Sequence, residues 1–476
     1  MYAYYSICIL HIILKNALQP KTPPAQPSFT PAQLLIFFVR LLPHRALRKL
    51  PALRDKDFYN RLFSPLVTLW YLLFQRLNSD HSLEGALSDA RTGGGDRINK
   101  KLSHQLVSGS TASYSDARQR LPWEFLAQAL ALQGRKIIGL SPTTLWRGLV
   151  VALLDGSTVR LRPHGRMAKE FPPNRNQHPH PYWCLMRVVV CFCAWSGAAL
   201  DCAIGSLPIS EQVMACRIIL DSIAKCLFIG DRNFGVFRVV QAACQAGQQV
   251  LLRLTDRRAR KLLGLPLRVG DHALSWKPSR QDQLQPACST GPVDGRLLVV
   301  RLQRNGFRSQ LLCWFTTLPN TSDYSVDELV RLYGLRWHIE LNLRYLKGQM
   351  DLVQLEAKSP QMARKEWLAG LLAYNLIRAA QLCAALQKGI SPLILSFSSV
   401  RRHLECWLRQ FGRAQRQARV QWTKTLQQIG QCLLPRRRKP RPDEPRAQRH
   451  LRLPYPPLYG SRANARRHLK KYASKS

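Results

Sequence analysis

A chain of 476 residues with 46% hydrophobic residues is long enough to bury a sizeable core, and length alone argues for about three structural units. It carries 71 Lys+Arg against 28 Asp+Glu, a formal net charge of +43. Self-repulsion on that scale destabilises a free compact protein and favours a polyanionic partner, nucleic acid first, because neutralised phosphates release counterions; a ribosome-associated or basic peripheral membrane protein is the blander reading.

The first residues, Met1–Leu14 (MYAYYSICILHIIL), are apolar but too short to span a bilayer, and they lack the basic start of a signal peptide. With the linker-like Lys21–Gln26, residues 1–35 read as a disordered leader. From Pro31 to Arg135 the pattern is helical. Phe63–Leu77 (FSPLVTLWYLLFQRL) is apolar nearly all round, as a buried helix would be. Ser79–Ala90 reads as a second helix capped by Asp80 or Ser82, and Arg91–Lys101 (RTGGGDRINKK) as a flexible basic loop. Ser113–Leu121 opens another helix, whose Arg118 and Arg120 are solvent-face residues or, in a DNA-docking domain, phosphate contacts.

The character changes at Gly148. Leu149–Leu154 is a short β-branched run ending in Asp155; Leu227–Gly230 is a second, ending in Asp231. Between them lie strand candidates Arg187–Ala194 and Ala198–Ile204, with Gly197 as their turn, and a helix over Glu211–Ala224. A helix over Val236–Ala246 and a strand over Val250–Leu254 follow, so this part is an α/β layer. Leu297–Gln303 and Ser309–Thr317 form a hairpin around Asn305-Gly306, within a β-rich insertion. Val326–Arg378 is helical again, and the tail beyond Leu433 is rich in proline and arginine, a composition that stays disordered without a partner. The boundaries are therefore a leader over 1–35, a helical N-terminal unit over 36–145, an α/β core over 146–255 and 326–400 split by the insertion at 256–325, and a basic C-terminal helix and tail over 401–476. The 13 cysteines have no disulfide rhythm and no Cys-x-x-Cys pair, so they read as reduced thiols of a cytoplasmic protein.

Two buried-type strands thus each deliver an aspartate at the carboxyl end, where ligands sit in open α/β sheets. Taken singly, Asp155-Gly156 and Asp231-Arg232-Asn233 are equally turn residues. Tyr333–Lys347 reads YGLRWHIELNLRYLK. On one helix its Tyr333, Arg336, Glu340 and Lys347 share a face, which is either a solvated surface with an ion pair or one metal ligand set among phosphate-binding cations. Trp337 beside that face either stacks on an unpaired base or packs in the core; Trp314, on the hairpin, has the same two readings. Arg253 is a phosphate contact or a sheet-surface charge.

These residues resemble the Tyr-two-Arg-three-Glu-six-Lys signature of insertion-sequence transposases of the IS-four group, whose catalytic domain is of the DDE type. Leu153–Arg160 (LLDGSTVR) and Gly230–Phe234 (GDRNF) look like its two aspartate motifs. Lys358–Pro360 and Leu371–Arg378 look like the segment after its glutamate helix. The stretch His164–Tyr182, rich in His, Pro and Arg, departs from the family pattern. The resemblance implies an RNase H-like core with a β-rich insertion and an N-terminal DNA-binding domain. It also implies a catalytic and metal-binding triad of Asp155, Asp231 and Glu340, taking two Mg²⁺ ions that Mn²⁺ can replace. Tyr333, Arg336 and Lys347 would hold phosphates. The partners would be double-stranded DNA, as transposon ends and target, and a second copy of the chain on paired ends, with no membrane. The rival readings are a nuclease that cuts without joining strands and a DNA-binding regulator without chemistry.

Overall fold

The computed structural model describes residues 44–435, apart from 55–61, 79, 141–144, 175–181, 223, 265, 285–290, 305–306, 320–321 and 414–417. The expected leader, the proline-arginine tail and the Asn305-Gly306 turn lie outside the described residues.

One mixed sheet organises the chain. Its strands are β1 (Leu145–Trp146), β2 (Leu149–Leu161), β3 (Cys184–Cys193), β4 (Ala199–Ser206), β5 (Cys226–Gly230), β6 (Gln249–Arg253), β7 (Gly270–Trp276), β8 (Val293–Arg304), β9 (Phe307–Thr316) and β10 (Gln354–Leu355). The order is β4-β3-β2-β5-β6-β9-β8-β7, with β1 and β10 both pairing with β2. β2, β3 and β4 form an antiparallel meander, with Gly197 in the left-handed region (φ 70°) at its second turn. β5 and β6 then run parallel to β2, as strands joined by helical crossovers do. The expected hairpin is present as β8 and β9, but the insertion does not form a separate sheet. β9 pairs antiparallel with β6, so β7–β9 extend the same sheet.

Alternation along the central strands sorts their side chains into two cores. Val151, Leu153, Ile229 and Leu251 face one way, toward the N-terminal helices and the long helix near the C-terminus. Ala152, Leu154, Phe228 and Leu252 face the other way, onto α5 (Glu211–Leu220) and α6 (Phe237–Gln245). The N-terminal helices are α1 (Pro65–Leu77), α2 (Leu83–Arg91), α3 (Ala112–Arg120) and α4 (Trp123–Ile138). α1 is buried almost all round, as its composition requires, and Ser82, not Asp80, caps α2 by accepting from Gly85 N at 2.9 Å. The segment after α2 is a packed turn, not the flexible loop its glycines imply. Gly93, Gly94 and Gly95 are buried, and Arg97 N donates to Gly412 O at 3.1 Å. α4 crosses β4 so closely that a Cβ on Gly134 would sit 2.9 Å from the Leu200 carbonyl oxygen.

The expected helical stretch from Val326 to Arg378 is broken into α7 (Val326–Gly334), α8 (Trp337–Arg344), a π-helical turn over Tyr345–Gln349, β10, and α9 (Pro360–Lys388). α9 is long and apolar enough to cross a membrane, but the whole qualifying stretch is buried inside the protein. It packs against α1, α4 and the two last described helices, α10 (Phe397–Gly412) and α11 (Ala418–Gln431), so the N-terminal and C-terminal helices share one core with the sheet.

A polar knot fixes α9 in that core. Asn375 accepts from Ala199 N and donates to Ala199 O, both at 2.7 Å, closing the edge of β4. Arg378 donates to Tyr374 Oη at 2.8 Å, to Gln381 Oε1 at 3.0 Å and to Asn342 Oδ1 of α8 at 2.6 Å, with its guanidinium beside the Tyr345, Tyr374 and Phe397 rings. Arg378→Met leaves those buried acceptors without a donor. It is expected to lower stability by about 3 kcal/mol, read as a shifted urea midpoint.

Asp201 in β4 is a half-buried carboxyl that burial pushes up to about 6, partly offset by the hydrogen bond from Cys202 N. Its folded value lies above the unfolded one, so folding takes up a proton between the two and stability falls as pH rises through that window. Asp201→Asn should therefore be more stable than the parent at pH 7, by up to about 2 kcal/mol, and the two should converge near pH 4 in the same unfolding measurement.

Candidate active site

Register sets two aspartates level. The parallel pairing of β2 with β5 runs from Val150↔Cys226 to Leu153↔Ile229. Asp155 and Asp231 each lie two residues beyond that last pair, so both stand at the same height and continue the face of Leu153 and Ile229. Asp231 leaves its strand as expected. Asp155 does not, because β2 continues to Leu161, held by β3 through Asp155↔Val190 and onward. It is the shorter partner β5 that stops, opening one edge of β2 beside the carboxylate.

Each aspartate is turned by its own backbone. Asp155 Oδ1 accepts from Gly156 N at 2.9 Å, and Asp231 Oδ1 accepts from Asn233 N at 2.8 Å. Burial pushes the Asp155 carboxyl up to about 7, and repulsion from Asp231 adds to the rise, while Arg336 draws it back. Two coupled carboxylates repel each other, and hard oxygen donors of this kind are the type a divalent cation takes.

Glu340 reaches the same side from α8. The segment Tyr333–Lys347 is not the single helix that the spacing implies. Around Leu335 the hydrogen bonds tighten to the i→i−3 pattern, Leu335 N to Leu332 O and Arg336 N to Tyr333 O, both at 3.0 Å. After Arg344 they loosen into the π-helical turn that carries Lys347. The four residues nevertheless gather. Arg336 Nη2 lies 3.4 Å from Glu340 Oε1, and the two side chains are 11% and 25% exposed. Burial works against the Arg336 charge, but Tyr333, Asp155, Asp231 and Glu340 together outweigh it and raise its pKa. Glu340 is raised by burial, with Arg336 and Arg344 opposing. Burial lowers the Lys347 ammonium, and Asp155 opposes that shift. Tyr333 is buried and pushed up to about 12 by burial, with Arg336 and Arg253 drawing it down and the two aspartates raising it.

Arg253, at the end of β6, stands opposite Trp314 in register. Trp314 is buried and packs edge-on against Tyr333 at 5.4 Å, so this tryptophan is core support for the site. Trp337 is half-buried at the start of α8. Among the described residues no three acidic, histidine or cysteine side chains lie close enough to hold one ion, and Glu340 is paired with Arg336. Arg118 is not on the solvent face. It lies 3.0 Å from Glu366 of α9, only 11% exposed, with Arg76 3.4 Å from the other carboxylate oxygen. Arg120 is exposed. The spacing gave no sign of Glu211 and Asn233, whose side chains meet at 2.6 Å next to Asp231, nor of Arg378, which ties Asn342 of the glutamate helix to α9.

A family described as "Transposase DDE domain" matches residues 146–376, which contain all three acids. The chain is 27% identical over 286 residues to transposase InsG of insertion sequence element IS4 from Escherichia coli (strain K12), covering 59% of this chain and 64% of that relative. The match thus spans less than two thirds of that relative's length. It is 42% identical over 62 residues to the transposase of insertion sequence element IS421 from Escherichia coli, which is 13% of this chain and 16% of the relative. A solved piggyBac transposase synaptic complex with hairpin DNA superposes with a TM-score of 0.40 and 8% identity, covering 86% of each chain.

The Arg76–Glu366–Arg118 cluster is structural in its geometry. Arg118→Met should cost about 2 kcal/mol in urea unfolding, because it strips one cation from a buried carboxylate. Arg120→Ala, at an exposed position, should leave unfolding unchanged within about 0.5 kcal/mol.

Proposed function

We propose that this chain, whose residues 146–376 match the DDE transposase family and which is similar to the IS4 transposase InsG, is a DDE transposase of the IS4 group that binds the ends of a mobile DNA element, cuts them and joins them to target DNA. The observation that carries the reading is the pair of register-matched aspartates on the face that Arg336, Glu340 and Lys347 also approach.

The fold reading that goes with it is an RNase H-like core. An antiparallel three-strand meander followed by two parallel strands, with helices on both faces, supports it. The helical N-terminal region, rich in basic residues, is the candidate DNA-binding unit, and the net charge of +43 supports a polyphosphate partner. A second copy of the chain would hold the second DNA end, in a bacterial cytoplasm at the nucleoid.

Asp155, Asp231 and Glu340 would hold divalent cations, Mg²⁺ or Mn²⁺, with Glu340 exchanging its long contact to Arg336 for the ion. Bound there as a pair, the cations would supply charge stabilisation to the attacking and leaving oxygens of an in-line displacement. The chain's own residues do the rest. Arg336 and Lys347 carry fixed positive charge beside the acids and position the phosphodiester without reading its sequence. Arg253 extends that rim. Tyr333, packed edge-on against Trp314, is electrostatically coupled to Arg336 and would support it. Trp337 offers a partly exposed ring for a base lifted from the stack. Chemically, water attacks the phosphorus at the element's end and the P–O3′ bond breaks, leaving a free 3′-hydroxyl on one side and a 5′-phosphate on the other. That hydroxyl then attacks a second phosphodiester, forming one P–O bond as another breaks, so no external energy source is consumed.

Asp155→Asn, Asp231→Asn and Glu340→Gln should each cut DNA ends at least about 1,000-fold more slowly with Mg²⁺ while binding the same DNA within about 2-fold. Undiminished cutting by all three would sink the assignment. Arg336→Met and Lys347→Met should each flatten the dependence of log affinity on log salt by about 0.9. A strand-transfer assay with pre-cut ends separates a transposase from a nuclease that only cuts.

A further inference from the structure

One interlock beside the acids has no part in the scheme above. Glu211 is the first residue of α5, whose N-terminus is capped by Ser210 accepting from Val213 N at 3.3 Å. α5 is held rigidly, with Met214, Ala215, Ile218 and Ile219 buried against the sheet. Arg187 of β3 fixes the entry to this helix by donating to Ile209 O at 2.7 Å. From that base two consecutive side chains grip the Asp231 turn. Glu211 Oε2 accepts from Asn233 Nδ2 at 2.6 Å, and Gln212 Nε2 donates to Asn233 Oδ1 at 2.8 Å and to Asn233 O at 3.0 Å. Asn233 N in turn donates to Asp231 Oδ1 at 2.8 Å.

The second observation comes from the other aspartate motif. A Cβ built on Gly156 would lie 2.3–2.6 Å from the Glu211 carboxyl atoms. Gly156 is not among the residues of positive φ, so its backbone does not demand glycine. The space a side chain would take there is filled by the Glu211 carboxyl, which a Cβ would have to displace. An ordinary solvated helix-terminal glutamate, favoured only by the helix dipole, needs no such cradle. Gly156, next to Asp155, and Asn233, two residues past Asp231, therefore both adjoin one carboxylate.

We infer that Glu211, seated in the space left by Gly156 and hydrogen-bonded to Asn233, is a positioning residue that locks the Asp231 carboxylate level with Asp155 for divalent-cation binding. This rests on the cation-site reading above. Supporting contacts of this kind, behind a ligand, typically tune metal affinity 10- to 100-fold. Gln at 211 keeps an oxygen that accepts from Asn233, so the hydrogen bond and not the charge is the working element.

The test is Mn²⁺ binding to the full chain by electron paramagnetic resonance, with thermal unfolding alongside. Glu211→Ala should weaken Mn²⁺ binding by about 10-fold, Glu211→Gln by no more than about 2-fold, and Asn233→Ala should match Glu211→Ala. Gly156→Ala should weaken binding like Glu211→Ala, and the double variant should be no worse than either single one. All should melt within about 3 °C of the parent. In DNA-end cleavage the same variants should lower kcat with KM for DNA unchanged. Parental Mn²⁺ affinity in Glu211→Ala overturns the inference, as does a Gln variant as weak as the Ala one, or an additive double variant. Asp231→Asn is the control. If it too binds Mn²⁺ like the parent, the cation-site reading has failed; if it alone loses binding, only the role of Glu211 has.

Discussion

Four residue pairs of parallel β-pairing, Val150↔Cys226 to Leu153↔Ile229, fix the geometry on which the site depends. Side-chain direction in a strand has period two, so a slip of one residue would turn either aspartate to the opposite face. The register is guarded from both sides. Leu153 and Ile229 are fully buried in one core while Leu154 and Phe228 are buried in the other, so a slip would drive apolar groups out of both. The aspartates inherit a position that hydrophobic burial enforces.

The glutamate arrives by a different route. α8 follows a tightened turn and precedes a loosened one, and neither end is a stiff helical continuation. Its placement comes from Asn342, whose amide oxygen accepts from Arg378 at 2.6 Å inside a shell of Tyr345, Tyr374 and Phe397. Because Asn375 on the same α9 also grips the backbone of Ala199, one helix connects the edge of the sheet to the glutamate segment. A buried polar network of this kind is costly when broken, and that cost is what makes the arrangement specific.

Electrostatics adds a third constraint. In a chain of net charge +43, the two aspartates share their face with Arg336 and Lys347, and Glu340 rests on Arg336 at 3.4 Å. The protein supplies the counter-charge of its own acids. Under the proposed function, a phosphate-bearing ligand and hard cations would replace those contacts.

The sequence by itself marked most of the secondary elements and named the candidate site residues. Alternating and continuous apolar runs marked β2, β5 and α1, the Asn305-Gly306 pair marked the hairpin of β8 and β9, and the spaced Tyr333, Arg336, Glu340 and Lys347 marked the family. These are local signals, carried by the period of burial and by turn chemistry. Only the tertiary structure decided that Asp155 sits within a strand whose neighbour ends, and that Arg118 belongs to Glu366 and not to solvent. It alone placed Trp314 under Tyr333, and Glu211 in the space beside Gly156. Each of these joins residues far apart in the chain, where partner length, helix crossing and the absence of a Cβ set the contact. No window of sequence contains both halves of such a contact, so periodicity and spacing could not reveal it.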